Sequence, residues 1–167
     1  MKPFSPQHLL DLLANSGIVT NTWWHDPVFT VEEAEALRSQ IAFPVGLHCK
    51  NLFLKDKKGA LFLLTVDDRA RVDMKALQQM LGCARLSFGK PDLLMEKLGV
   101  KPGSVTPFAV INDKAGEVQM VLDKALAETP IMFAHPLDNK ATTQISGADL
   151  ERFLLDQGHS PTLLALS

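Results

Sequence analysis

Apolar positions along this chain follow two periodicities, and the switch between them is marked by caps, glycines and prolines. Leu9, Leu10, Leu12 and Leu13 recur at helical spacing behind Ser5 as an N-cap and Pro6 at the first helical position, and Gly17 ends the pattern. Residues 19–25 read as extended, and Asp26-Pro27 breaks them before Thr30-Val31-Glu32-Glu33, a T-x-x-E capping box opening a helix that runs to Gln40. Residues 44–66 then alternate. They predict a β-hairpin whose turn is Lys55-Asp56-Lys57-Lys58-Gly59 and whose return strand is 60–66. Because strand side chains point alternately to opposite faces, Leu47, Cys49, Asn51 and Phe53 share one face; His48, Lys50, Leu52 and Leu54 share the other.

Beyond the hairpin, residues 67–71 form a charged connection. Asp73 caps a helix with Met74, Leu77, Met80 and Leu81 on one face before Gly82. A short strand is expected at 84–88, and Pro91 opens a helix carrying Leu93, Leu94 and Leu98 up to Gly99. The loop 100–107, bracketed by prolines, leads into a strand expected at 108–112, paired through a turn at 113–116 with a strand around Met120-Val121-Leu122. Residues 123–128 make a helical turn, 130–134 a buried strand and 142–145 another. Ser146 caps a helix with Leu150, Phe153, Leu154 and Leu155 that Gly158 ends, and 162–166 add a last strand. Hairpin strands mixed with helices, without regular βαβ alternation, predict an α+β fold. The expectation is a single domain over 1–167, with a mixed, mostly antiparallel, barrel-like sheet surrounded by helices.

A chain of 167 residues fits one sizeable core, and 46% hydrophobic with 22% charged residues is an ordinary globular balance. The formal net charge of −2 excludes binding nucleic acid by bulk phosphate neutralisation, so any such contact is local. Cys49 and Cys83 show no CxxC spacing and suit free thiols in a reducing cytoplasm. The five histidines are scattered without zinc spacing, so neither metal nor cofactor is expected. The N-terminal residues lack a secretory pattern, and no run has the apolar length of a membrane span, which predicts a cytoplasmic protein with no membrane partner.

Motifs for a serine nucleophile elbow, a P-loop, a zincin helix or a dinucleotide fold are missing from the sequence. What remains is local. Lys50 sits mid-strand in an apolar row, where its ammonium either snorkels to water or meets an anion in a cleft. Cys49 is a nucleophile or a core thiol, and its apolar row favours the core. Trp23 and Trp24 face opposite ways in a strand, one toward the core and the other as an edge-packing or stacking side chain. Arg69, Arg71 and Lys75 read as a solvated basic loop beside acidic neighbours. Gly103-Ser104-Val105-Thr106-Pro107 is a G-x-x-x-P element in which a glycine lets backbone N–H groups approach a ligand. His135, followed by Pro136, stands at the end of a buried strand, where pocket residues gather.

In combination and in this order, the segments resemble the prolyl-tRNA editing family, YbaK-like domains related to the insertion domain of bacterial prolyl-tRNA synthetase. The segments are His25-Asp26-Pro27 with the following Thr-Val-Glu-Glu-Ala, Gly46 through Leu54, Gly103-x-x-x-Pro107, and His135-Pro136-Leu137-x-Asn139. Within that family the chain is most similar to the free-standing alanyl-tRNA(Pro) deacylases, over nearly its whole length. The resemblance implies hydrolysis of the ester joining a wrong amino acid to tRNA(Pro). Lys50 is then the principal functional residue, Gly103 lies at the carbonyl, and His135 lines the amino-acid pocket. Asn51, Ser104, Thr106 and Asn139 are the further substrate-binding residues expected, with the acceptor end of mischarged tRNA(Pro) as partner and prolyl-tRNA synthetase as a second.

Such an ester is already activated and needs only a positioned water, a stabilised oxyanion and a held 3′ end. The proton acceptor is either the neighbouring ribose hydroxyl or water. Lys50 and Asn51 point to opposite faces of a regular strand, so both serve one site only through a bulge or through the Asn51 backbone. The alternatives are a Cys-tRNA(Pro) deacylase on the same scaffold, a non-catalytic nucleic-acid module, which the charge disfavours, and a synthetase-binding domain.

Overall fold

Alternation builds the hairpin as expected. In the computed structural model, which describes residues 2–167, β2 (Leu47–Asp56) and β3 (Leu61–Asp67) pair antiparallel with Lys50 opposite Val66 and Asn51 opposite Thr65. Asp68 N–H donates to the His48 carbonyl and Asp56 N–H to the Ala60 carbonyl, so the even-numbered residues of β2 bond toward β3. Odd-numbered residues turn their backbone groups to the other edge. Leu47 N–H donates there to the Ile131 carbonyl, and the Phe53 carbonyl accepts from Gly89 N–H.

That second edge is shared by two short strands with an interval between them. β6 (Met132–Ala134) pairs in parallel with Leu47 and His48, and β4 (Leu86–Phe88) pairs antiparallel with Leu54 to Asp56. Residues 49–53 lie in the interval. Outward from β6 come β7 (Ala141–Ile145) and β1 (Asn21–Trp24), both antiparallel. Beyond β3 come β5 (Val118–Asp123) and β8 (Thr162–Leu164), both parallel. The order is β1-β7-β6-β2-β3-β5-β8, with β4 off that path.

Two expectations are corrected here. The eight-stranded sheet is open, with β1 and β8 at its ends, rather than barrel-like, while it is mixed and mostly antiparallel as expected, with parallel pairings joining β2 to β6, β3 to β5 and β5 to β8. Residues 108–112 are not a strand. Pro107–Asn112 is a 3-10 helix, capped by Thr106, whose Oγ1 accepts from Phe108 N–H at 3.4 Å, and its five residues from Pro107 to Ile111 are all buried.

The sheet separates two cores. Phe53, Leu61, Leu63, Met120 and Leu122 pack with α1 (Pro6–Asn15), α4 (Pro91–Leu98), α6 (Gly147–Asp156) and the 3-10 helix. Leu54, Phe62, Leu64 and Val66 pack on the other side with α3 (Met74–Leu81). α5 (Lys124–Glu128) follows β5 directly. α2 (Val31–Gln40) contributes no buried residue to either core. Its start is held by Thr30 Oγ1, which accepts from Glu33 N–H at 3.1 Å, while the Glu33 carboxylate accepts from Phe29 N–H at 3.1 Å. Among the described residues, no helix is long and apolar enough to cross a membrane.

Candidate active site

Because β2 and β6 pair over only two positions before they part, a cavity opens where they separate. It has a volume of about 70 Å³ and is lined by Cys49 and Asn51 from β2 and by Phe133 to His135 from the end of β6, with Thr142 beneath. Ala34, Leu37 and Arg38 of α2 cover it, and Phe43 and Val28 close its sides. The position outside the carboxyl end of a parallel strand pair is a common ligand site in sheets.

Asn51 enters the cavity with its amide already oriented. Its Oδ1 accepts from Thr65 Oγ1 at 2.6 Å, and its Nδ2 lies 3.6 Å from Cys49 Sγ. An amide nitrogen carries two hydrogens, so one remains for a ligand oxygen. Its main-chain groups also point into the interval between β6 and β4, by the alternation described above. Cys49 Sγ in turn donates to the Phe133 carbonyl at 3.2 Å, bridging the parted strands. Burial pushes its pKa up to about 12, so the thiol stays protonated, and the side chain packs against the larger core.

Two imidazoles of the site, those of His135 and His48, are held neutral by burial. His135 Nδ1 donates to the Ala141 carbonyl at 2.7 Å, and burial lowers its pKa, so Nε2 is left as an acceptor. His25 bonds Thr142 Oγ1 through Nε2 at 2.8 Å and lies 6.5 Å, ring to ring, from His135. His48 stacks on Phe133 at 4.5 Å between centroids, and burial together with Arg38 pushes its pKa down to about 4. Arg38 is tied to Asp68 at 2.7 Å over the cavity wall. Sequence reasoning missed His48, Arg38 and Phe43 as lining residues. The available signal was the aromatic and histidine cluster at Trp23, Phe43, His48 and Phe133, which only the fold assembles.

Lys50 takes the face opposite Asn51, as alternation requires; His48, on that same face at the strand's start, reaches the cavity, and Lys50 does not. The Lys50 ammonium donates to the Ala70 carbonyl, and its positive charge helps hold the Asp67 carboxyl below the usual range behind the larger effect of Arg69.

The G-x-x-x-P loop and the 135–139 turn meet at the cleft's second end. Asn51 and Gly103 line one groove together with Phe53 and Pro102. Gly103 adopts φ +88°, a conformation open to glycine, and a β-carbon there would lie 3.6 Å from both Asn139 Nδ2 and the Phe29 ring. Ser104 Oγ accepts from Asn139 N–H at 3.1 Å, and Asn139 Nδ2 donates to the Val28 carbonyl at 3.4 Å. These bonds fasten the loop to the cavity wall. Leu137, buried with φ 71°, is the positive-φ non-glycine residue in the turn that joins His135 to Asn139. Thr106 is fully buried as the cap of the 3-10 helix and lines none of these openings. The fold thus gathers Asn51, His135, Gly103, Ser104 and Asn139, and leaves Lys50 and Thr106 outside.

An oriented amide and a neutral imidazole line the small cavity, and the glycine loop borders the adjoining groove, an arrangement compatible with binding an oxyanion. The chain belongs to the aminoacyl-tRNA editing domain family, whose model matches residues 25–153; it is an aminoacyl-tRNA deacylase. It is 40% identical over 137 residues to the prolyl-tRNA editing protein ProX of Acetoanaerobium sticklandii, covering 81% of this chain and 82% of that one. It is 37% identical over 161 residues to the zebrafish (Danio rerio) prolyl-tRNA synthetase associated domain-containing protein 1, covering 95% and 86%. A crystal structure described as a candidate trans-editing enzyme for prolyl-tRNA synthetase superposes with a TM-score of 0.73 at 20% identity, over 97% of this chain and 96% of that one, which shows the shared fold.

Proposed function

We propose that this protein edits in trans, hydrolysing the ester of alanine on tRNA(Pro) after release from prolyl-tRNA synthetase in the cytoplasm. The observation that carries the reading is the cavity of about 70 Å³ between Asn51 and the aromatic wall of Phe43 and Phe133. The alanyl methyl enters that cavity. The second Nδ2 hydrogen of Asn51 and the Gly103 backbone receive the carbonyl oxygen as it becomes an oxyanion. His135 Nε2 accepts from the substrate ammonium and fixes the amino acid. The ribose hydroxyl beside the ester takes the proton of the attacking water, and Lys50 reaches the acceptor end from its own face after leaving the Ala70 carbonyl. Ser104 and Asn139 keep the loop in register with the cavity.

Selectivity follows from size. An apolar pocket roomy enough for proline favours the larger side chain by about 1–3 kcal/mol per methylene, so proline is rejected only by a wall. Initial deacylation rates on Ala-, Ser-, Cys- and Pro-tRNA(Pro) test this. Alanine is expected fastest, serine slower and proline nearly inert, and His135→Ala should loosen that order. Comparable wild-type rates on the alanine and proline esters would overturn the account, and a cysteine rate above the alanine rate would reassign the substrate to Cys-tRNA(Pro).

A further inference from the structure

We infer that the groove beside Gly103, walled by the exposed Phe29 ring and by Lys101 and Lys140, is the seat of the unpaired 3′-terminal nucleotides of the RNA. This rests on the deacylase reading and adds where the nucleotide part of its substrate lies. Phe29 is 70% exposed, yet its backbone is pinned by the Glu33 carboxylate and its ring lies against Gly103. A large aromatic side chain presented to solvent on a fixed backbone is a stacking platform whenever its free face borders a groove.

Here it does. A groove of about 370 Å³ runs from Phe29 past Pro27, Met95 and Pro102, with Lys101 and Lys140 on its rim. Asp138 also lines it, but its Oδ1 accepts from Lys140 N–H at 3.0 Å and caps the turn. An aromatic face with cations beside it suits a base and its flanking phosphates. The other groove beside Gly103, which reaches the exposed Phe88, has no lysine or arginine in its lining.

Continuity fixes the occupant. Val28 walls the cavity while its neighbours Pro27 and Phe29 wall the groove, and Asn139 bonds the Val28 carbonyl from the groove side. The ester is carried on the terminal ribose. A nucleotide whose aminoacyl group occupies the cavity therefore has its base and the preceding phosphate next to this groove, and the exposed lysines supply local positive charge that the chain's net charge of −2 lacks.

The test uses uncharged RNA, so its result does not depend on turnover. Binding of two fluorescent acceptor-stem minihelices is measured by anisotropy, one ending in CCA and one with those nucleotides removed. Wild type is expected to prefer the CCA form by about tenfold or more, within the range of stacking one or two bases. Phe29→Ala and Phe29→Leu should erase most of that preference and Phe29→Trp keep it. Lys101→Gln with Lys140→Gln should weaken binding and flatten its salt dependence by a slope of about 1–2. Phe88→Ala should leave the preference intact. Equal affinity of wild type for both RNAs, or full discrimination in folded Phe29→Leu, would overturn the inference. Loss of the preference in Phe88→Ala alone would move the nucleotide to the other groove and equally overturn it.

Discussion

Thr65 Oγ1 donates a 2.6 Å hydrogen bond to Asn51 Oδ1 directly across the β2–β3 ladder, and Thr65 is fully buried. The amide of Asn51 is thereby fixed from the rear, with its donor end left for the cavity. Preorganised donors of this kind cost no reorientation when charge develops.

Replacing Asn51 by Asp keeps the acceptor for Thr65 but removes the donor and adds a negative charge where the oxyanion forms. Single-turnover deacylation should fall by about 10²–10³, with far-ultraviolet circular dichroism unchanged. Thr65→Val only frees the amide to rotate, which costs about 1 kcal/mol, or fivefold. If Asn51→Asp retains wild-type rates, the amide plays no part in the reaction.

Lys50 offers a sharper contrast, because its ammonium bonds the Ala70 carbonyl on the face opposite Asn51. A lost charged contact to substrate is worth about 1.5–3 kcal/mol. Lys50→Ala should accordingly reduce kcat/KM for mischarged tRNA by more than tenfold while thermal stability stays close to wild type. Activity within twofold of wild type, alongside a lowered melting temperature, would leave Lys50 as a clamp on the 67–70 connection alone.

Gly103 is constrained by its backbone before its bulk is considered. At φ +88° a non-glycine residue is strained by roughly 1–2 kcal/mol, whereas the space for a β-carbon, at 3.6 Å from its nearest neighbours, is ordinary contact. Gly103→Ala should therefore lower the melting temperature modestly and turnover more strongly, since the loop must move to relieve the strain. Gly103→Val should do both to a greater degree. Full turnover by folded Gly103→Val would make the loop merely structural.

Acid should loosen the site. His48 is near 6.5 when unfolded and about 4 when folded, because burial and then Arg38 oppose its charging. Between those values the unfolded chain holds the extra proton, so the stability that neutral His48 contributes is complete above about pH 6.5, declines as pH falls, and falls no further below about 4. Asp67, kept low by the Arg69 guanidinium, titrates beneath this window. Melting temperatures across it should slope less for His48→Phe, which keeps the stack on Phe133, than for wild type. Parallel slopes would remove His48 as the cause.

The hairpin was legible because alternation alone assigns Asn51 and Lys50 to opposite faces, and the structure keeps that assignment. What alternation could not supply was β6 in parallel beside His48, since a non-local pairing leaves no local signature; the cavity exists only through that neighbour. The apolar run 108–111 was read as a strand for a related reason. A short buried run has no periodicity to separate strand from helix, and Thr106 with Pro107 set it off as a 3-10 helix instead. Gly103, His135 and Asn139 were legible as residues, while the bonds joining their two loops through Ser104 were not.

The two-edged role of β2 bears on how this chain can change length over time. A residue inserted at the exposed Lys57-Lys58-Gly59 turn merely lengthens a loop, whereas one inserted between Leu47 and Phe53 shifts every following side chain to the opposite face. It would bury a lysine among the leucines and aromatics of the larger core and strand an amide on the far side. Length variation among descendants of this sequence should accordingly gather at the turn and leave the strand untouched.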